Sequence, residues 1–196
     1  MNHETTSILL AGVGGQGILL ASEICAKAAA FAGFDVKTNE VHGMAQRGGS
    51  VIGQLRYGKR VYSPLVSKGE ATVLMSLERI EALRFADYLK PDGLAVVNSQ
   101  IIVPVTVSSG GAVYPENAEE MLRKTFKRLI YLDANQIALE LGNPKCANVV
   151  LLGALATALH NLSDAIWQQA IRECVKPQFV DLNLKAFQIG RNTDIC

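Results

Sequence analysis

The strongest constraint on this chain lies near its start. An apolar run, Ser7-Ile8-Leu9-Leu10, leads into Ala11-Gly12-Val13-Gly14-Gly15-Gln16-Gly17 and then a long helical run, Ile18 to Phe31. Strand, glycine loop, helix is the first βα unit of a nucleotide-binding-like α/β sheet. Gly12, Gly14 and Gly17 have the G-x-G-x-x-G spacing. The first glycine turns tightly, the second lets a backbone or ligand approach, and the third lets the helix pack on the strand. The helix N-terminus then offers free N–H groups and a partial positive charge, which suit an anion. The same pattern also serves a turn that needs glycine and binds nothing.

Further along, the punctuation is that of an α/β chain. Residues 7–11 read as the first strand, and Gly33 ends the first helix. Glu23 and Lys27, four apart, mark that helix's exposed stripe. Asp35 to Val41 reads as a second strand. Val51 to Arg56, Tyr57-Gly58-Lys59 and Arg60 to Tyr62 read as a β-hairpin, where a plain Rossmann repeat would place a helix. Ala71 to Leu77 is a buried strand, and Glu78 to Leu89 an amphipathic helix stopped by Pro91-Asp92-Gly93. Leu94 to Asn98 is a strand, and Ile101 to Ser109, holding Pro104, an edge strand or extended loop. Ser108-Ser109-Gly110-Gly111 is a turn. Glu116 to Lys127 is helical, with acids early and bases late. Leu129 to Leu132 is a short strand, after which Asp133 caps a helix ending near Gly142. Cys146 to Leu159 is an apolar helix that must be buried. Ser163 caps Asp164 to Cys174, and Val180 to Ile189 is the last helix, with Phe179 and Phe187 packing inward. The whole, residues 1–196, reads as one domain: an α/β, Rossmann-like, mostly parallel sheet with helices on both faces and a β-hairpin insertion.

A chain of 196 residues can bury a large core without staples. A net charge of +1 lacks the basic excess of a nucleic-acid-binding surface. Only 19% of residues are charged and 49% hydrophobic, a balance suited to a surface partly covered by a partner. The four cysteines, Cys25, Cys146, Cys174 and Cys196, include no C-x-x-C, so zinc and iron–sulfur spacings are missing and no metal site is expected. Cys25 and Cys174 read as buried thiols. The polar start resembles no signal peptide, and reduced thiols fit the cytoplasm. The most apolar stretch, Val149 to Leu159, is too short to span a bilayer.

The segment His42-Gly43-Met44-Ala45-Gln46-Arg47-Gly48-Gly49-Ser50 is not ordinary connector chemistry. It packs three glycines around one arginine at the carboxyl end of a strand, where ligands gather in open α/β sheets. A guanidinium can clamp phosphate or carboxylate bidentately while neighbouring glycine N–H groups join it. The competing reading of Arg47 is a salt bridge that fixes the loop against another subunit. His42, a lone loop histidine, is either structural or in touch with substrate. A dinucleotide site would want an acid at the end of the second strand, and Glu40 sits near there. No serine occupies a G-x-S-x-G elbow, and His42 and His160 are far apart, so hydrolase chemistry has no support.

Ala11 to Gly17, followed by Val41 to Val51, resembles the gamma-type subunit of 2-oxoacid:ferredoxin oxidoreductases. Within that family the His-Gly-Met-x-Gln-Arg-Gly-Gly form is similar to the beta subunit of indolepyruvate ferredoxin oxidoreductase. The resemblance covers nearly the whole chain and implies a role. These enzymes decarboxylate a 2-oxoacid on thiamine diphosphate, pass two electrons through iron–sulfur clusters to ferredoxin, and release an acyl-CoA. It implies that thiamine diphosphate, magnesium and [4Fe-4S] clusters sit on a larger partner chain. This chain would bind none of them and help form the coenzyme A side of the active site. Gly12, Gly14, Gly15, Gln16, Gly17, Arg47, Gly48 and Gly49 are the expected cofactor-side residues, with Arg47 and His42 the catalytic candidates. The other class of function is a stand-alone dinucleotide-binding protein or dehydrogenase.

Overall fold

Two apolar registers run along the first strand. Ile8 and Leu10 face one way, and Leu9 and Ala11 the other. A strand buried on both faces belongs inside a sheet covered by helices on both sides. The computed structural model, which describes residues 5–42, 49–103 and 114–193, builds that arrangement. Its elements are β1 (Thr6–Val13), α1 (Ile18–Phe31), β2 (Asp35–His42), β3 (Ser50–Gly58), β4 (Ala71–Ser76), α2 (Arg79–Arg84) and β5 (Leu89–Asn98). There follow α3 (Ala118–Thr125), β6 (Leu129–Leu132), α4 (Ala134–Glu140), α5 (Ala147–Ala156), α6 (Asp164–Cys174) and α7 (Val180–Arg191).

The six-stranded sheet has the order β2-β3-β1-β4-β5-β6. β1, β4, β5 and β6 are parallel, and β3 runs antiparallel to both β1 and β2. The carboxyl ends of the four parallel strands therefore share one edge with the glycine loop. The chain leaves β1 for β2 on one side and reaches β4 on the other. The topological switch point lies beside β1, the place where open α/β sheets bind ligands. On one face, Ile8, Leu10, Leu55 and Tyr57 pack with α1, α5, α6 and α7. On the other, Leu9, Ala11, Leu74 and Val97 pack with Val66, Ala82, Leu122 and Phe126. All ten residues of α5 are buried, as its uniformly apolar sequence requires. On α1, Glu23 and Lys27 pair outward at 3.6 Å. Among the described residues no helix is long and apolar enough to cross a membrane.

Several expectations need correction. The antiparallel hairpin consists of β2 and β3, with His42 opposite Val51. Arg60 to Tyr62 forms no strand. The Glu78 to Leu89 stretch is α2 followed by a 3-10 turn, Ala86–Tyr88, and Pro91-Asp92-Gly93 lies within β5. Phe179 closes the 3-10 turn that enters α7 and is 38% exposed, whereas Phe187 is buried as expected. Ser163 occupies the cap position of α6 but makes no side-chain cap bond. Cys25 is buried and Cys174 only partly so. Ile101 to Val103 forms no strand, and the rest of that stretch, with the Ser108 to Gly111 turn, lies outside the described residues.

Candidate functional site

The glycine loop is shaped by two left-handed residues, Gly15 at φ 101° and Gly17 at φ 83°. L side chains rarely adopt that region, so both positions call for glycine. Gly17 also caps α1, and a Cβ there would lie 2.6 Å from Asn148 Nδ2. That amide instead donates to the Gly17 carbonyl at 3.0 Å, tying α5 to the start of α1. Gly12 leaves room for Gln16, whose Oε1 would be 2.8 Å from a Cβ. Gly14 meets the second motif directly. Its N–H donates to the Gly49 carbonyl at 2.9 Å.

Gln16 knits the loop to the strand ends. Its Oε1 accepts Val13 N–H at 2.7 Å. Its Nε2 donates to the Leu77 carbonyl at 2.8 Å and to Gln100 Oε1 at 2.9 Å. Asn98, 1% exposed, donates to the Leu77 carbonyl and to Asn135 Oδ1, and accepts Ala134 N–H. These bonds hold open a cavity of about 530 Å³ at the carboxyl ends of β1, β4 and β5. Gly15, Gln16 and Gly17 line one side, and Gln100, Asn135, Lys145 and Asn148 the other. The first turns of α1 and α5 both open onto it through Leu20 and Ala147. Asn148 is 2% exposed, and its Oδ1 is buried without a hydrogen-bond partner. This oxygen can accept a hydrogen bond from a donor beyond those the described residues supply.

Gly12, Gly14, Gly15, Gln16, Gly17 and Gly49 thus come together at one edge of the sheet. The His42 side chain, Arg47 and Gly48 lie outside the described residues. Sequence reasoning missed Asn98, Gln100, Asn135, Lys145 and Asn148. The readable signal was Asn148, the one polar residue inside the apolar run from Cys146 to Leu155. Glu40, the candidate ribose acid, stands on β2, which β3 separates from β1. It lines a shallow groove with Ser22, Glu23 and Thr38 instead, away from the glycine loop. A dinucleotide site assembled on the Rossmann pattern is therefore not supported.

A second polar cluster sits where β3 begins and α2 starts. Glu78 caps α2, accepting Ile80 N–H at 2.7 Å, Glu81 N–H at 3.0 Å and the Tyr114 hydroxyl at 2.7 Å. Glu81 accepts the Ser50 hydroxyl at 2.5 Å. Burial pushes the Glu81 carboxyl up, with Glu78 adding to the rise and Ser50 and Arg84 opposing it. Burial likewise pushes the Tyr114 hydroxyl up to about 12.

The fold and this cavity define a Rossmann-like α/β protein whose switch-point pocket is lined by amides, one lysine and apolar side chains. Residues 7–193 match the pyruvate ferredoxin/flavodoxin oxidoreductase family, and the chain belongs to it. It is a subunit of a 2-oxoacid:ferredoxin oxidoreductase. It is similar to the indolepyruvate oxidoreductase subunit IorB of Pyrococcus horikoshii, 45% identical over 188 residues that cover 94% of this chain and 93% of that one. The fold is shared with the pyruvate oxidoreductase subunit PORC from Thermotoga maritima, at a TM-score of 0.74 and 23% identity, covering 98% of each chain. It is shared too with a 2-oxoglutarate:ferredoxin oxidoreductase from Magnetococcus marinus, solved with 2-oxoglutarate, coenzyme A and succinyl-CoA bound. There the TM-score is 0.70 at 22% identity, covering 96% of this chain and 30% of that one.

Proposed function

We propose that this chain is the small subunit of an indolepyruvate-type enzyme, and that its switch-point cavity receives part of coenzyme A during oxidative decarboxylation to an acyl-CoA. The observation that carries the reading is the cavity's mix of donors with one orphan acceptor. The N-termini of α1 and α5 and the Lys145 ammonium favour phosphate. Asn148 Oδ1 can accept from a hydroxyl or an amide N–H. Coenzyme A carries phosphates, hydroxyls and amides on one flexible molecule. The Magnetococcus marinus enzyme binds coenzyme A, and the IorB relative is named for indolepyruvate.

Gln16 and Asn98 position rather than bind, because most of their hydrogen-bonding capacity is spent on Val13, Leu77, Gln100, Asn135 and Ala134. Gly12, Gly14, Gly15, Gly17, Gly48 and Gly49 are proposed to let the ligand approach the backbone. His42, at the end of β2, and Arg47, in the segment between β2 and β3, are proposed to act at this same edge, which both strand ends reach. Thiamine diphosphate, magnesium and the [4Fe-4S] clusters are assigned to a larger partner, through which electrons pass to ferredoxin. Among the described residues no three His, Cys, Asp or Glu side chains are grouped so that they could hold a metal ion. We place the assembled enzyme in the cytoplasm.

Lys145 is exposed and outside the core, so Lys145→Gln tests the cavity without disturbing the fold. In the assembled enzyme it should raise KM for coenzyme A about tenfold, the loss of one charge-assisted contact. KM for the 2-oxoacid should stay the same. An unchanged KM for coenzyme A would remove the ligand from this cavity.

A further inference from the structure

The Glu81 cluster lies at the same edge as the cavity but takes no part in lining it. Glu81 is 5% exposed. Its nearest cation, Arg84, is 3.3 Å away and about half exposed. Burying a carboxyl here is costly, and an apolar side chain of similar size would serve packing at least as well. What the carboxylate reaches is Ser50. Ser50 directly follows Gly49, whose carbonyl accepts the Gly14 N–H at 2.9 Å. Two successive residues are therefore held from two directions, one by the glycine loop and the other by α2. The anchor is itself fixed. Glu78 caps α2 beneath Glu81, and Tyr114 donates to Glu78. The Ser76 hydroxyl donates to the Glu78 carbonyl at 2.6 Å.

We propose that Glu81 is a positioning residue: by holding Ser50 it fixes the Gly49 carbonyl against Gly14, and so keeps the glycine loop in the shape that lines the coenzyme A cavity. The proposal rests on the reading of that cavity given above. Neither side chain touches the ligand. Their effect passes through one backbone hydrogen bond.

The test uses the full chain and the assembled enzyme. Ser50→Ala removes the donor and should raise KM for coenzyme A about tenfold, with kcat little changed. Glu81→Gln keeps an acceptor without the charge and should raise it less. Ser50→Thr keeps the hydroxyl and should restore the wild-type KM. The Ser50→Ala/Glu81→Gln double variant should be no worse than Ser50→Ala, because both changes break one bond. Amide exchange at Gly14 should accelerate in both single variants while Leu9, deep in β1, stays protected. The proposal is overturned if KM for coenzyme A is unchanged in both single variants, even where the melting temperature falls. It is equally overturned if Gly14 exchange matches wild type. Lys145→Gln separates the two readings. If it raises KM while Ser50→Ala does not, the cavity stands and the positioning role falls. If Ser50→Ala raises KM and Lys145→Gln does not, Glu81 stands and the ligand lies elsewhere along the loop.

Discussion

A buried carboxyl such as Glu81 leaves a pH signature in stability. The folded state raises its pKa above the ordinary 4.5, chiefly by desolvation, with Glu78 adding to it and the Ser50 hydroxyl and Arg84 pulling the other way. A raised acid binds its proton more tightly in the folded chain than in the unfolded one. Its contribution to stability therefore falls as pH climbs through the window that starts at the ordinary value. Glu81→Gln cannot ionise and escapes that loss. Its melting temperature relative to wild type should climb between about pH 4 and pH 7, read by thermal melts across that range. A flat difference would mean that the carboxyl is not strained by its site. Gln16 marks the limit of reading residues from the chain. Its place in the glycine loop was legible, but its bonds to Leu77 and Gln100 join residues 61 and 84 positions away. No local pattern encodes partners that far off.

Elements were more legible where burial is uniform and least legible where the partner decides. The uniformly apolar α5 and the capping of α4 by Asp133 emerge as read, because each depends on neighbours in sequence. The hairpin was misassigned because a β-rich run before Tyr57-Gly58-Lys59 looks the same whether the strand pairs forward or back. In the fold β3 pairs back with both β2 and β1. Two glycines set the crossing of α5 and α7. A Cβ on Gly153 would collide with the Phe187 carbonyl and the Arg191 N–H, and one on Gly190 with the Val150 carbonyl. All of these neighbours are backbone and cannot swing aside. Gly153→Ala should therefore destabilise the chain by about 3 kcal/mol, the upper range for overpacking a core. Chemical denaturation would show this as a lower midpoint with an unchanged slope. A midpoint equal to wild type would mean that the helices part without cost.

On the scale of the whole molecule, the chain corresponds to 30% of the Magnetococcus marinus polypeptide that shares its fold. The same body thus occurs inside a longer chain in that enzyme. The purified chain should reduce no acceptor with indolepyruvate and coenzyme A, and mixing with its larger partner should restore turnover. An acceptor-reduction assay on each component and on the mixture decides this, and turnover by the small chain alone would refute the assignment. Fold class was legible from the glycine loop, whose spacing carries mechanical meaning, and the family from the resemblance of two motifs to known subunits. The cavity was not, because five of its polar walls come from β5 onward and converge only when the sheet is complete.

The sheet order has one more consequence, for how much of this protein a cell can safely hold. β2 is an outer strand eight residues long, with no proline and no bulge in its register. Its lysine, Lys37, is held by Asp35 at 2.6 Å. Strands left open in this way offer their free backbone groups to any extended chain nearby. At high concentration two copies would have this edge available to one another, so association through β2 should grow with concentration.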